Sequence, residues 1–174
     1  ITFWLFSNSI VNIVNDVQTS FSSNVSTIGT AVSITSLLCG LLVVGSGGMA
    51  DRYGRVKMVY IGLVLNIIGS ILVICSSFTV LLIIGRSVQG FSAACIMPAT
   101  LAIINEYYKD KERQRALSYW SIASWGGTGI STFFGGIVAT NLGWRYIFVF
   151  SIIVSIASML LMKHTPETKG VQTE

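Results

Sequence analysis

Charge is what this sequence has least of. Of its 174 residues only 10% are Asp, Glu, Lys or Arg, against about 25% in an ordinary soluble domain, which excludes a solvated globular surface. Strict apolar/polar alternation, the mark of a membrane β-barrel, is also missing, and continuous apolar runs such as 61–75 rule that architecture out. The three cysteines, Cys39, Cys75 and Cys95, fall inside apolar segments at no metal-ligand spacing, which excludes a disulfide framework or a zinc site. There is no Gly-x-x-x-x-Gly-Lys-Ser/Thr loop to cradle a nucleotide phosphate, so ATP is not implied and no cofactor is expected. The lone histidine, His164, lies near the C-terminal end, and Asp16, Asp51 and Glu106 are far apart in sequence; no catalytic pair is legible, and an enzyme is not expected. The first residue is Ile1, inside an apolar stretch with no basic region before it, which reads as a chain cut from something longer rather than as a signal peptide.

What the chain has is apolar length. Hydrophobic residues make up 52% of it, and a hydrocarbon core about 30 Å thick is crossed by about 20 apolar helical residues. Lipid offers no partner to backbone polar groups, so helices are the remaining choice. Six spans are predicted, at about 1–17, 27–49, 56–75, 79–105, 116–140 and 146–162. Short connections make consecutive helices antiparallel neighbours. The expectation is an all-α polytopic membrane protein: a six-helix bundle over 1–162 and a tail, 163–174, leading to a missing C-terminal part. Nine of the eleven basic residues fall between the second and third spans (Arg52, Arg55, Lys57), between the fourth and fifth (Lys109, Lys111, Arg113, Arg115) and in the tail (Lys163, Lys169). The positive-inside rule then puts those regions, and both ends of the unit, in the cytoplasm. The net charge of +4 is thereby a matter of topology, and nucleic acid is not expected as a partner. Glycine pairs followed by a Gly/Arg turn close both the second span (Gly47, Gly48 to Arg55) and the fifth (Gly135, Gly136 to Arg145) on opposite membrane sides. Two inverted three-helix repeats would produce that echo.

Four stretches carry chemistry. In Gly47-Gly48-Met49-Ala50-Asp51-Arg52-Tyr53-Gly54-Arg55-Val56-Lys57, Asp51 is expected near the start of the third helix, where a carboxylate meets a positive helix end. Gly54 allows the turn, while Arg52 and Arg55 offer charge to a neighbouring carboxylate. The stretch is either an anchored turn or a latch that holds one conformation and releases in another. In Leu82-x-x-x-Arg86-x-x-Gln89-Gly90 a charge lies about 10 Å into a helix, too deep for a headgroup anchor. Such charges face a protein interior or an aqueous cavity, and Arg86 is either satisfied by fixed polar partners or part of proton coupling. Asn8, Asn12 and Asn15, with Asp16 beside them, share one face of the first span, as glue between helices or as cavity lining. Ala123, Gly127, Ser131, Gly135 and Ala139 repeat every four residues and form a ridge for close helix contact.

The first of these stretches resembles the signature loop of the major facilitator superfamily, Gly-x-x-x-Asp-Arg-x-Gly-Arg-x-Lys, with every fixed position filled. The resemblance implies that Gly47, Asp51, Arg52, Gly54 and Arg55 act in conformational control. The Arg86 stretch is similar to the fourth-helix signature of the superfamily's drug/proton antiporters, implying that Arg86 and Gln89 serve proton coupling. Gly127, Gly135 and Gly136 match the fifth-helix antiporter motif, although Ser131-Thr132 stands where that motif has Gly-Pro. The stretches 112–120, 143–148, 94–100 and 165–169 resemble the fourteen-helix antiporters, and among them the Nor-type quinolone and multidrug efflux pumps of staphylococci. Such a resemblance covers the N-terminal six-helix half of a transporter. It implies proton-coupled multidrug efflux across the plasma membrane by alternating access, with membrane lipid, protons, small amphipathic drugs and a C-terminal half as partners. Those antiporters usually carry an acid near Ser7 and a proline near Asp16; neither is present, so the proton-carrying carboxylate is expected in the other half. Phe6, Met97, Trp120, Trp125 and Phe133 are candidates to line a drug cavity or simply to pack or face lipid. A transporter for a specific metabolite and a nontransporting membrane subunit are the competing expectations.

Overall fold

The computed structural model describes residues 25–168. The first expected span, with Phe6, Asn8, Asn12, Asn15 and Asp16, lies outside the described residues. Within them the chain forms five helices: α1 (Val25–Tyr53), α2 (Arg55–Ile74), α3 (Thr79–Tyr107), α4 (Asp110–Leu142) and α5 (Arg145–Met162). They correspond to the second through sixth expected spans, and no strand occurs among the described residues. Four of them, α1, α2, α3 and α5, are long and apolar enough to cross a membrane.

α4 departs from the expectation. Its 33 residues would reach about 50 Å at 1.5 Å per residue, but Gly126, Gly127, Gly129, Ser131, Thr132, Gly135 and Gly136 dilute its apolar character. It also begins six residues before the expected Ala116, because Asp110 and Glu112 occupy its first turn, where negative charge complements the helix dipole.

The helices run up and down. The α1–α2 turn, the α3–α4 connection and the residues after α5 meet at one end, joined by Arg55 to Glu106 and by Tyr107 to Pro166. The α2–α3 and α4–α5 connections meet at the other, joined by Arg145 to Ser76. Among the described residues the basic side chains outside the apolar stretches collect at the first end, with Arg145 the exception. α3 is central, packed against both α1 and α2; α2 packs in turn on α5, whereas α4 touches α3 and α5 lightly.

Two apolar clusters sit toward the two ends. One holds Ala31, Val73, Leu82, Trp144, Ile147 and Phe148, the other Ala50, Met58, Val59, Leu63, Cys95 and Ala99. Between them the interior is polar: Thr35, Asn66, Ser70, Arg86, Gln89, Ser92, Ser151 and Ser155 are all fully buried. Apolar side chains such as Leu41, Val44, Ile68 and Ile153 point outward instead, the arrangement that a lipid solvent favours.

The central layer depends on close backbone approach. A Cβ built on Gly69 would lie 2.9 Å from the Gly85 carbonyl, and one on Gly85 would lie 3.0 Å from the Gly69 carbonyl. The two glycines face each other across the α2–α3 crossing. Gly90 does the same for α1, where a Cβ would come within 2.6 Å of the Thr35 carbonyl. Small residues at helix crossings are what bring backbones together in a membrane, where helix association gains little from the hydrophobic effect.

Candidate functional site

Arg86 is fully buried at the junction of three helices. Its Nη1 donates to Gln89 Oε1 at 2.8 Å, one turn along α3. Its Nε points to the Ala31 carbonyl of α1 at 3.5 Å. Gln89 Nε2 then donates to Ser70 Oγ on α2 at 3.1 Å, and Thr35 Oγ1 of α1 donates to the Arg86 carbonyl at 3.1 Å. A guanidinium only donates, so the Gln89 amide is oriented with its oxygen toward Arg86 and its nitrogen toward Ser70. The result is a connected polar chain that crosses from α1 through α3 to α2.

Chemically this is a fixed cation in a low-dielectric layer. It does not act as a proton donor itself, but it favours the ionised form of a carboxylate, or orders a water, that comes within about 4–6 Å. Every described Asp and Glu lies elsewhere: Asp51, Glu106, Asp110, Glu112 and Glu167 are all at the basic end.

A second polar cluster went unread in the sequence. Asn66, in the middle of the apolar run 61–75, donates from Nδ2 to Ser151 Oγ at 3.1 Å and to Ser155 Oγ at 2.7 Å on α5. The signal was an amide within an otherwise apolar run, which lipid exposure would penalise. Together with the bond from Tyr60 Oη to the Met159 carbonyl, this cluster sets the register of α2 against α5.

At the basic end, Gly54 separates α1 from α2 with φ +119°, a backbone region that glycine enters readily and other residues rarely do. Arg55 gathers the cluster: Nε and Nη2 each lie 2.9 Å from Asp51 Oδ1, and Nη1 lies 3.2 Å from both Glu106 Oε2 and the Ala102 carbonyl. Asp51 and Glu106, far apart in sequence, are thus brought onto one guanidinium. Asp51 is not at the start of the third span, as its position suggested. α1 runs on to Tyr53, which leaves Asp51 one helical turn before Arg55, and the carboxylate at the N-terminus of α2 is Glu167, whose Oε1 and Oε2 accept from Val56 N at 2.8 Å and Lys57 N at 3.1 Å. Arg52 stays outside the cluster, exposed, with its guanidinium 5.8 Å from the Tyr53 ring centre. Gly47 faces Pro98 of α3, where a Cβ would make ordinary contact at 3.6 Å.

The opposite end of α2 is also capped by charge. Arg145 donates from Nε to the Ile74 carbonyl and from Nη2 to the Ser76 carbonyl, both at 3.2 Å, and its guanidinium lies 4.6 Å from the Trp144 ring centre. A cation on the last carbonyls of a helix satisfies acceptors that have no partner inside it. Arg145→Ala is expected to destabilise the bundle by about 1.5–3 kcal/mol, the range for hydrogen bonds to charged groups. Thermal unfolding in detergent should show a lower midpoint, partly restored by lysine, whereas an unchanged midpoint would remove the cap from the account.

On α4, Ser124, Gly127, Ser131 and Gly135 form the buried face, with Ser131 Oγ donating to the Gly127 carbonyl. Gly136 is not on that face: a Cβ there would meet nothing within 4 Å. Of the aromatic and methionine candidates, Trp120 Nε1 approaches Thr100 Oγ1 at 3.4 Å, and Thr100 also donates to the Met97 carbonyl. This brings Trp120, Thr100 and Met97 together between α3 and α4. Trp125 and Phe133 lie elsewhere on α4 and are exposed.

The sequence model for the major facilitator superfamily matches residues 1–174. The chain is 61% identical over 170 residues to the quinolone resistance protein NorB of Staphylococcus aureus, strains JH9 and Newman among others, covering 98% of this chain and 37% of that protein. The chain therefore spans little more than a third of the length of these relatives. In fold it is similar to the inward-open xylose transporter XylE of E. coli, with TM-score 0.73 at 17% identity over 96% of this chain and 46% of that one. It is also similar to a peptide transporter, POT, with TM-score 0.64 at 20% identity over 91% and 34%. An all-helical bundle with a polar interior, the filled signature loop at the α1–α2 turn and a family match over the whole length lead to one assignment: the chain belongs to the major facilitator superfamily.

Proposed function

We propose that this chain is the N-terminal six-helix half of a proton-coupled multidrug exporter of the plasma membrane. The observation that carries the reading is Arg86: a permanent cation buried at the junction of three helices, within a chain 61% identical to a quinolone resistance protein. Transport proceeds by alternating access, the two halves rocking about a central drug site. In this scheme the basic end faces the cytoplasm, in keeping with the positive-inside rule. The cluster of Asp51, Arg55 and Glu106, with Gly47 against Pro98 and the turn glycine Gly54, is the conformational latch; Arg52 joins it only through a rearrangement.

Arg86 and Gln89 tune the proton step electrostatically. The principal proton-carrying carboxylate belongs to the C-terminal half, since the described acids of this half lie at its basic end. The drug site is shared between the halves, with Met97 and Trp120 on its wall, and the proton gradient rather than ATP supplies the energy.

The test is drug accumulation in cells expressing the complete polypeptide. Lower accumulation of a fluoroquinolone and of an unrelated amphipathic cation is expected, reversed by a protonophore and weakened by Asp51→Asn. A change confined to one metabolite would favour a specific transporter instead, and no change in any solute would favour a nontransporting membrane subunit.

A further inference from the structure

The segment that follows α5 does not leave the bundle directly. Thr165 N closes the last turn on the Met162 carbonyl at 2.9 Å, and Pro166, which cannot continue a helix, sends the chain beneath the α1–α2 turn. There it makes four bonds. Tyr107 Oη of α3 donates to the Pro166 carbonyl at 2.7 Å, and Arg55 N donates to the Thr168 carbonyl at 2.9 Å. The other two are those of Val56 N and Lys57 N to the two oxygens of Glu167.

The first three amides of α2 are donors that a helix cannot satisfy internally. α2 has no side-chain cap of its own, and the segment after α5 supplies all three acceptors. Gly54 is shaped to this arrangement as much as to its own φ: a Cβ there would lie 2.7 Å from both Cδ and Oε1 of Glu167. Any side chain at position 54 would require the carboxylate to shift from this seat.

The turn is therefore held by two devices that share no atom. The Arg55 side chain ties it to Asp51 of α1 and Glu106 of α3, and the amides of Val56 and Lys57 tie it to Glu167. Glu167 itself is exposed, so water competes for its oxygens and its bonds can open without unfolding anything. Because Arg145, the first residue of α5, caps the far end of α2, the charges at the start of α5 and just beyond its end match the sign of the α2 dipole at each end.

We propose that Glu167 is a second, separable lock on the α1–α2 turn: a carboxylate of the chain itself, seated on the N-terminus of α2, that couples the polypeptide leaving α5 to the latch. Movement of that polypeptide and release of the turn are then one event. The assignment rests on the transport reading above.

The experiment uses the complete polypeptide in lipid vesicles, comparing wild type with Glu167→Asp, Glu167→Gln and Glu167→Ala. Amide exchange at 55–57 should quicken about two- to thirtyfold in the alanine variant, the ratio that losing a helix cap implies, with abundance unchanged and the melting temperature lower by only the few degrees that loss of one cap implies. A cap of structural importance alone would stop at that result. A lock also governs turnover, so proton-driven efflux should change in maximal rate by about fivefold or more with KM unaltered, aspartate lying between wild type and alanine. Unaltered exchange at 55–57, or altered exchange with wild-type maximal rate, overturns the proposal and leaves the transport reading standing. Silence of the wild type removes the transport reading itself, and the lock with it.

Discussion

Gly90→Val is expected to leave almost no folded protein. A Cβ at this position would stand 2.6 Å from the Thr35 carbonyl and 3.1 Å from the Thr35 Cα and the Leu38 Cβ, so backbone, which cannot rotate away, would have to move. Overpacking of a well-filled core costs about 1–3 kcal/mol even where side chains can adjust. Here the shift would also pull Thr35 away from the Arg86 carbonyl and open the layer around a buried charge. Gly40→Ala on α1 is the matched control, because nothing lies within 4 Å of a Cβ there and alanine gains about 1 kcal/mol of helix propensity over glycine. The yield of monodisperse protein after detergent extraction should collapse for Gly90→Val and hold for Gly40→Ala. Equal yields would mean that α1 and α3 do not cross at the distance described.

Arg86→Met separates stability from function. Methionine fills similar volume without a charge to desolvate, a relief of several kcal/mol per buried ion that offsets the roughly 1–3 kcal/mol for leaving a buried acceptor without its donor. Gln89 loses the donor facing its oxygen, yet its amide nitrogen keeps Ser70, so the bundle should still assemble. Coupling should not survive. Linkage between two sites is typically about 1–3 kcal/mol, or about 5–150-fold in the ratio it controls, and the proton dependence of drug flux should fall by a factor in that range. Lysine keeps the charge but replaces a planar fork by a point donor, so partial coupling is expected. Melting of Arg86→Met close to wild type, beside lost coupling, is the signature of a tuning charge; loss of folding would recast Arg86 as a structural residue.

What could be read in the sequence follows the range of the interactions involved. Arg86 stood out as a charge in the run 81–91, where only Ser87 and Gln89 are otherwise polar, and its burial follows from that local contrast. Gly54 was legible for the same reason, since a glycine between two apolar runs marks a turn. Asp51 was misplaced by about a helical turn: helix ends are soft signals, and α1 ran on past the glycine pair. The stretch 165–169 was legible as a family resemblance, but the capping role of Glu167 was not. Its partners, Val56 and Lys57, are more than a hundred residues away, and only the return of α5 to the same end of the bundle brings them together. Asn66 offered the same local contrast, an amide in an apolar run, but its partners, Ser151 and Ser155, lie on a different helix and could not be read from its neighbours. α4 was foreseen as a helix, but not how far glycine, serine and threonine would thin its apolar character.

The central claim is that the layer around Arg86 couples proton movement to drug export. Its most direct measurement is drug flux in vesicles containing the complete polypeptide, driven only by an imposed pH gradient, with wild type beside Arg86→Met. The account predicts drug movement against its own gradient in the wild type, abolished by a protonophore and largely lost in Arg86→Met. Flux indifferent to the pH gradient, or equally driven by it in the two proteins, would contradict the account.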